Sequence, residues 1–294
     1  MKNFRLGLTV LLLVTGLLFS YSTNTQAQTR VLDSLRQKLV HSDEDTNKVW
    51  TLNNIAWSLG LEGNYTEAVK LSTEALMLSE KLNYKTGSAR AYNVTGFVYF
   101  LKGDYKEAMK NLSLSYYISK EAGNKRGIAS ASINMANVYT NQGDYSEALK
   151  TLHSTLTLNE ELGDKKGIAD MYNNIGIVQQ DLGNFPEALK NYLQALQIRE
   201  AMQDQRSIAD CYNNIGLVYE SLHNYDEAIK NHFRSLKIRR EQNDQAGIAK
   251  SYNNLGIVYN DKGNYQEALM NHLSSLEIHK KLRDNLDLGK SFSE

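Results

Sequence analysis

Six glutamates recur at intervals of 40 residues: Glu67, Glu107, Glu147, Glu187, Glu227 and Glu267. Carboxylates at fixed spacing are the raw material of acid–base catalysis, one protonating a leaving group while another activates water. Each of these, however, follows by three residues a small polar cap residue: Asn64, Asp104, Asp144, Asn184, Asn224 or Asn264. That pairing marks a helix start. The Asn or Asp accepts from an exposed backbone N–H, and the Glu reaches back and favours the positive helix end. Capping therefore accounts for the set. His232 and His272 hold equivalent places 40 residues apart, with His279 two turns further on. Zinc needs three or four converging ligands, and no cysteine or recurring carboxylate joins them, so no metal is expected. Cys211 stands where other repeats place Ala91, Ala131, Met171 or Ser251. It fills a small packing position and has no recurring histidine to activate it as a nucleophile. With no glycine-rich phosphate loop either, the chain reads as non-enzymatic and without a cofactor.

The elements that carry these residues repeat without insertion or deletion. Tyr172-Asn173-Asn174-Ile175-Gly176 returns as Tyr212-Asn213-Asn214-Ile215-Gly216 and Tyr252-Asn253-Asn254-Leu255-Gly256. A fixed period of this size means a stacked array in which each repeat buries its apolar face only against its neighbours. Within a repeat the spacing is helical. Ile168, Tyr172, Ile175, Gly176 and Gln179 form one stripe, and Phe185, Ala188, Leu189, Tyr192 and Leu196 form a second. Gly183 and Asn184 separate the two. Pro186 falls in the first turn of the second helix, where it removes no intrahelical bond. Asn124, Asp164, Asp204, Asp244 and Asp284 are the expected caps of the first helices, each of about 17 residues at this spacing.

Lys+Arg and Asp+Glu are balanced at 33 each, so no basic field for nucleic acid is present. Residues 1–27 carry Lys2 and Arg5 and no acid, leaving the remainder at 0 − 2 = −2. This segment reads as a secretory signal, with an apolar run from Leu6 to Phe19 and cleavage expected after Ala27. The mature chain is then expected to hold no membrane span and to be periplasmic or secreted. Cys211, the single cysteine, allows no intramolecular disulfide. The expected organisation is a signal peptide at 1–27, a capping helix and linker at 28–46, six 40-residue repeats at 47–290, and the start of an incomplete seventh at 291–294. Asp284 to Glu294 aligns with Asp244 to Asn254, so a seventh first helix is expected to begin there. Leu269, Leu273 and Leu276 would stay partly exposed, offering a surface for self-association.

Tyr212-x2-Ile215-Gly216-x2-Tyr219, then Tyr225 and Ala228-x3-His232, resembles the tetratricopeptide repeat signature, with Tyr in place of the usual Trp. The period of 40 instead of 34 resembles the longer branch found in kinesin light chains and Pins-type polarity adaptors. The resemblance implies an all-α fold, a right-handed superhelical α-solenoid of stacked helix hairpins. It also implies that the face of the first helix opposite the Tyr–Gly stripe lines a concave groove.

That face repeats as Asn53/Asn54/Trp57, Asn93/Val94/Phe97, Ile133/Asn134/Asn137, Asn173/Asn174/Ile177, Asn213/Asn214/Leu217 and Asn253/Asn254/Ile257. Asparagine is a mediocre helix former whose amide offers both donors and acceptors, which suits the backbone of an extended peptide. The Asn54, Asn134, Asn174, Asn214, Asn254 series resembles the asparagine ladder of O-linked N-acetylglucosamine transferase arrays, interrupted here by Val94. Equally, these amides suit bridges between neighbouring first helices. Trp57 and Phe97 are expected to be exposed as aromatic anchors. The groove charges are mixed, with Arg90, Asp170, Asp210 and Lys250 one turn earlier, and the paired Lys and Arg of a carboxylate clamp for acidic C-termini are missing. The expected function is a protein- or peptide-binding scaffold outside the cytoplasm. The alternative is a truncated or stand-alone sensory domain, since the combination of signal and long repeats resembles extracytoplasmic regions of bacterial sensor proteins.

Overall fold

The structure is a computed structural model describing residues 43–291 together with Ser34, Leu35, Gln37 and Leu39, with side chains as far as Leu282. Residues 1–27, and with them the signal-peptide expectation, lie outside the described residues. So do Val31 and Leu32 of the expected capping helix, whereas Leu35 and Leu39 are helical and pack on the first hairpin. Among the described residues no helix is long and apolar enough to cross a membrane.

Twelve helices follow one another, and no strand occurs among the described residues. They are α1 (Thr46–Leu61), α2 (Tyr65–Lys81), α3 (Lys85–Lys102), α4 (Tyr105–Glu121), α5 (Lys125–Gln142), α6 (Tyr145–Leu162), α7 (Lys165–Asp181), α8 (Phe185–Ala201), α9 (Gln205–Ser221), α10 (Tyr225–Glu241), α11 (Gln245–Asp261) and α12 (Tyr265–Ser291). Odd-numbered helices are the first of each repeat and even-numbered ones the second. The chain forms two compact units, one of Gln28–Leu182 and one holding Gly183–Glu294. Within the first, α3 touches both α1 and α5 directly, while α2 and α4 lie chiefly against the first helices on either side.

The core is built from small residues and aliphatics in alternation. Ala108 and Leu112 of α4 meet Val138 of α5, and Ala148, Leu152 and Leu156 of α6 meet Met171, Ile175 and Val178 of α7. Close approach at the Tyr–Gly stripe requires glycine. A Cβ on Gly96 would lie 2.7 Å from Leu112, and one on Gly216 would lie 2.7 Å from the ring of His232.

The first-helix caps act as expected: Asn124, Asp164 and Asp244 accept from Gly127, Gly167 and Gly247, and Asp204 accepts from Ser207. In the second helices Asp104, Asp144 and Asn224 accept from the N–H of Glu107, Glu147 and Glu227. Glu67 reaches back to the side-chain amide of Asn64, which donates to it at 3.2 Å, but not to the cap N–H. The cap N–H groups of Asn64, Asp104, Asp144, Asn224 and Asn264 are already given to the preceding helix, as in Asp104 N–H to Tyr99 at 2.9 Å and Asp144 N–H to Tyr139 at 2.9 Å, a Schellman closure. Glu107, Glu147, Glu187 and Glu227 instead accept from Lys110, Lys150, Lys190 and Lys230 three residues on.

The expected helix start at Asp284 is corrected. α12 runs unbroken from Tyr265 to Ser291. The other turns between repeats place a left-handed residue at this point, as in Gly123 (φ 63) or Asn243 (φ 52). The sixth repeat has Arg283 there, and the helix continues; residue type alone does not decide this, since Gln203 holds φ 57 at the equivalent place two repeats earlier.

Candidate functional site

The candidate face lies on the first helices, turned away from their second-helix partners. Much of it is committed to holding the repeats together. Asn134 donates to Asn93 at 3.1 Å, and Asn254 donates to Asn213 at 2.6 Å, each a bond from one first helix to the next. Asn53, Asn93, Asn134, Asn213 and Asn254 are all buried. The register follows from stacking: the first Asn of one repeat meets the second Asn of the next, 41 residues on. Where one partner is replaced the bond is missing. Val94 stands opposite Asn53, whose Oδ1 is buried without a partner while its amide donates to Val49 in its own helix at 3.0 Å. Ile133 stands opposite Asn174, which accepts from Asn173 at 3.5 Å.

Phe97 is also corrected. It is 8% exposed, because its ring stacks on Trp57 with centroids 3.8 Å apart and planes 9° from parallel. Equivalent positions on adjacent first helices lie side by side, so two rings there cover each other. Trp57 itself is half-buried. What remains accessible is Ile177, 36% exposed, with Asn54, Asn137, Asn173, Asn174, Asn214, Leu217, Asn253 and Ile257 half-buried.

Two residues that the pattern of threes did not single out complete the face in the first unit. Trp50, half-exposed, lies one turn before Asn53 and Asn54, and the Arg90 guanidinium sits 4.1 Å over its ring while donating to Asn54 at 2.7 Å. They hold one position of successive repeats, filled by unlike residues: Arg90 was read there as one of the mixed groove charges, whereas Trp50 has no counterpart in the other repeats that would mark it.

In the second unit the electrostatics are set by burial. His232 is fully buried, neither ring nitrogen has a partner, and burial, with Lys250 adding to it, pushes its pKa down to about 4. Burial, with the charge of Asp261 adding to it, pushes Glu220 up to about 7. Burial pushes the Cys211 thiol up to about 12, with Asp210 acting in the same sense, so it stays protonated and unreactive at neutral pH. Arg239, also buried, pairs with Asp210 and Asp244, which ties α10 to the starts of α9 and α11. No group of three or more His, Cys, Asp or Glu side chains among the described residues is placed to hold a metal ion.

A layer of first helices with an uncovered face, backed by second helices, defines a stacked helix-hairpin array. The chain belongs to the tetratricopeptide repeat family: one family model matches residues 127–201 and 207–281, and a second tetratricopeptide repeat model matches residues 49–83. No curated protein sequence matches it. Solved structures share the fold. BtubC (BKLC) from P. vanneervenii is 21% identical, covers 73% of this chain and 91% of its own, and has a TM-score of 0.65. A Signal Transduction ATPase with Numerous Domains from Pyrococcus horikoshii, carrying a tetratricopeptide repeat sensor, is 16% identical over 88% of this chain and 40% of its own, with a TM-score of 0.64. A Rap protein complexed with Competence and Sporulation Factor is 17% identical over 86% and 80%, with a TM-score of 0.62. At such identities the likeness shows the fold alone.

Proposed function

We propose that this protein is a non-enzymatic scaffold that holds a protein or extended peptide segment against its first-helix face, outside the cytoplasm. The observation that carries the reading is that this face keeps solvent-reaching apolar side chains after its structural duties are met. Trp57, Ile177, Leu217 and Ile257 occupy one repeating position, flanked by amides. Within the second unit, Leu217 and Ile257 stand one repeat apart, a spacing that suits an extended segment better than a compact small molecule. Tetratricopeptide arrays serve as protein-binding scaffolds. Among the solved relatives, the Rap protein holds Competence and Sporulation Factor and the ATPase uses its repeats as a sensor, which fits a receiving role for this fold. The location rests on Lys2, Arg5, the run from Leu6 to Phe19 and the small residue Ala27. Self-association through α12 is part of the proposal, supported by Leu269, Leu273 and Leu276, all more than half exposed.

The test is affinity capture from the compartment that contains the mature chain. Ile177→Glu combined with Ile257→Glu should lose the captured partner. Phe233→Glu, at a more exposed aromatic on the second helix α10, should keep it. Equal retention by both variants would sink the assignment of the face.

A further inference from the structure

Among the described residues three arginines are withdrawn from solvent, and two of them are matched. Arg199 pairs with Asp204 at 3.1 Å, and Arg239 pairs with Asp210 and Asp244. Arg90 has no carboxylate partner among the described residues. Its contacts are the amide oxygen of Asn54 and the ring of Trp50, and its Nε is shielded with no acceptor. Burial lowers its pKa, and the phenol of Tyr84, not a carboxylate, is what acts against that effect. A desolvated charge without a counter-charge is costly, and a fold that twice supplies the counter-charge has left it out here. The guanidinium is nonetheless held in place. The Trp50 face fixes its plane and Asn54 fixes one edge, which leaves donors preorganised for a planar acceptor.

The surroundings define what that acceptor is attached to. At positions 50, 53, 54 and 57, and at their equivalents 40 and 80 residues on, Arg90 is the sole charged residue. The rest are aromatic, aliphatic, serine and asparagine. Trp50 is half-exposed and Trp57 half-buried, so an apolar side chain of the ligand has ring surface on either side of the charge.

We propose that the first-helix face of α1 and α3 binds a protein segment through one aspartate or glutamate side chain seated on Arg90, with a neighbouring apolar side chain on Trp50 and Trp57. A lone cation suits one side-chain carboxylate inside a segment. A chain terminus beside an acidic residue would call for paired cations. The inference rests on the peptide-binding reading above and adds the chemistry of the partner.

Trp50 and Trp57 are the two tryptophans of the chain, so intrinsic fluorescence of the full-length protein reads this site directly. Short random peptides displayed on phage are selected against the protein, then synthesised and titrated. The expected peptides carry Asp or Glu beside an apolar residue and shift the tryptophan emission saturably. Replacing that acid by its amide should weaken binding about tenfold or more. Arg90→Gln should erase the preference for acid over amide, while Arg90→Lys should keep part of it, with circular dichroism confirming that both variants fold. Peptides that move the emission without an acid, or that keep their acid preference on Arg90→Gln, would overturn the carboxylate assignment and leave the peptide-binding reading standing. Failure to select any peptide that moves the emission would overturn both.

Discussion

Acidification should act on this molecule through His232 in a way that a single substitution exposes. The ring is fully buried with both nitrogens unpartnered, and its pKa is pushed down to about 4, against an unperturbed value of 6.5. The unfolded chain takes up the proton first. The stability that depends on a neutral His232 is thus fully present above about pH 6.5 and is lost as pH falls through 6.5 towards 4. The shift of about 2.5 pH units corresponds to a ceiling of about 3.4 kcal/mol, of which about 2 kcal/mol is lost between pH 7 and pH 5. Glu220 runs the other way. Its raised pKa of about 7 means the folded state takes up the proton first, so stability is gained as pH falls from about 7 towards 4.5. The two slopes oppose each other in the native chain, so the informative quantity is a difference between proteins. His232→Leu is the suitable variant, because Leu112 fills the equivalent place in the second repeat against Gly96. Urea unfolding followed by circular dichroism, on both proteins near pH 7 and pH 5, should show the leucine variant more stable. Its advantage should grow by about 2 kcal/mol on acidification. An advantage that is the same at both pH values within about 0.5 kcal/mol would refute the buried neutral imidazole.

Other outcomes follow from the same geometry. Asn254→Ala should lower stability by about 1–3 kcal/mol by orphaning buried Asn213, and adding Asn213→Ala should cost less than the sum, as a double-mutant cycle in denaturant would show. Gly216→Ala sets a methyl 2.7 Å from the His232 ring and should destabilise by about 1–3 kcal/mol in thermal melts; His232→Ala in the same chain should recover part of that loss. Arg239→Met removes the cation from Asp244, which is 24% exposed, while the half-exposed Asp210 stays hydrated, so a loss of about 1–2 kcal/mol is expected in the same melts. A variant melting like the native chain would show that the ion pairs are solvated.

The fold was legible because its determinants are local and repeated. The helix caps, the turns and the glycines that admit close approach each recur with the period, and stacking is what a 40-residue helix hairpin must do to bury its stripe. The face was legible only in outline. Whether Asn134 meets ligand or Asn93 depends on the offset between adjacent first helices, a distance in space that one repeat does not encode. Phe97 was misplaced for the same reason, since its cover is Trp57 from the preceding repeat. Trp50 was hidden because its position is filled differently in every repeat, and repetition was the signal being followed; Arg90 was legible as one of the mixed groove charges, but its seat on Trp50 was not. The glutamates were half understood: they mark the helix starts, but the cap N–H groups they were expected to meet are consumed by the turn before them. At Asp284 a cap residue is present without the left-handed residue before it, and a cap alone does not break a helix.

The central claim, that the first-helix face is where a partner lies, is tested most directly by site-specific photocrosslinking. A benzophenone side chain replaces Ile177 or Ile257 on that face, or Phe233 on the second helix α10, in otherwise native protein within its own compartment. The account predicts crosslinks to the same partner segment from Ile177 and Ile257 and none from Phe233. Crosslinks of equal yield from Phe233, or none from either face position while the partner is still captured, would contradict it.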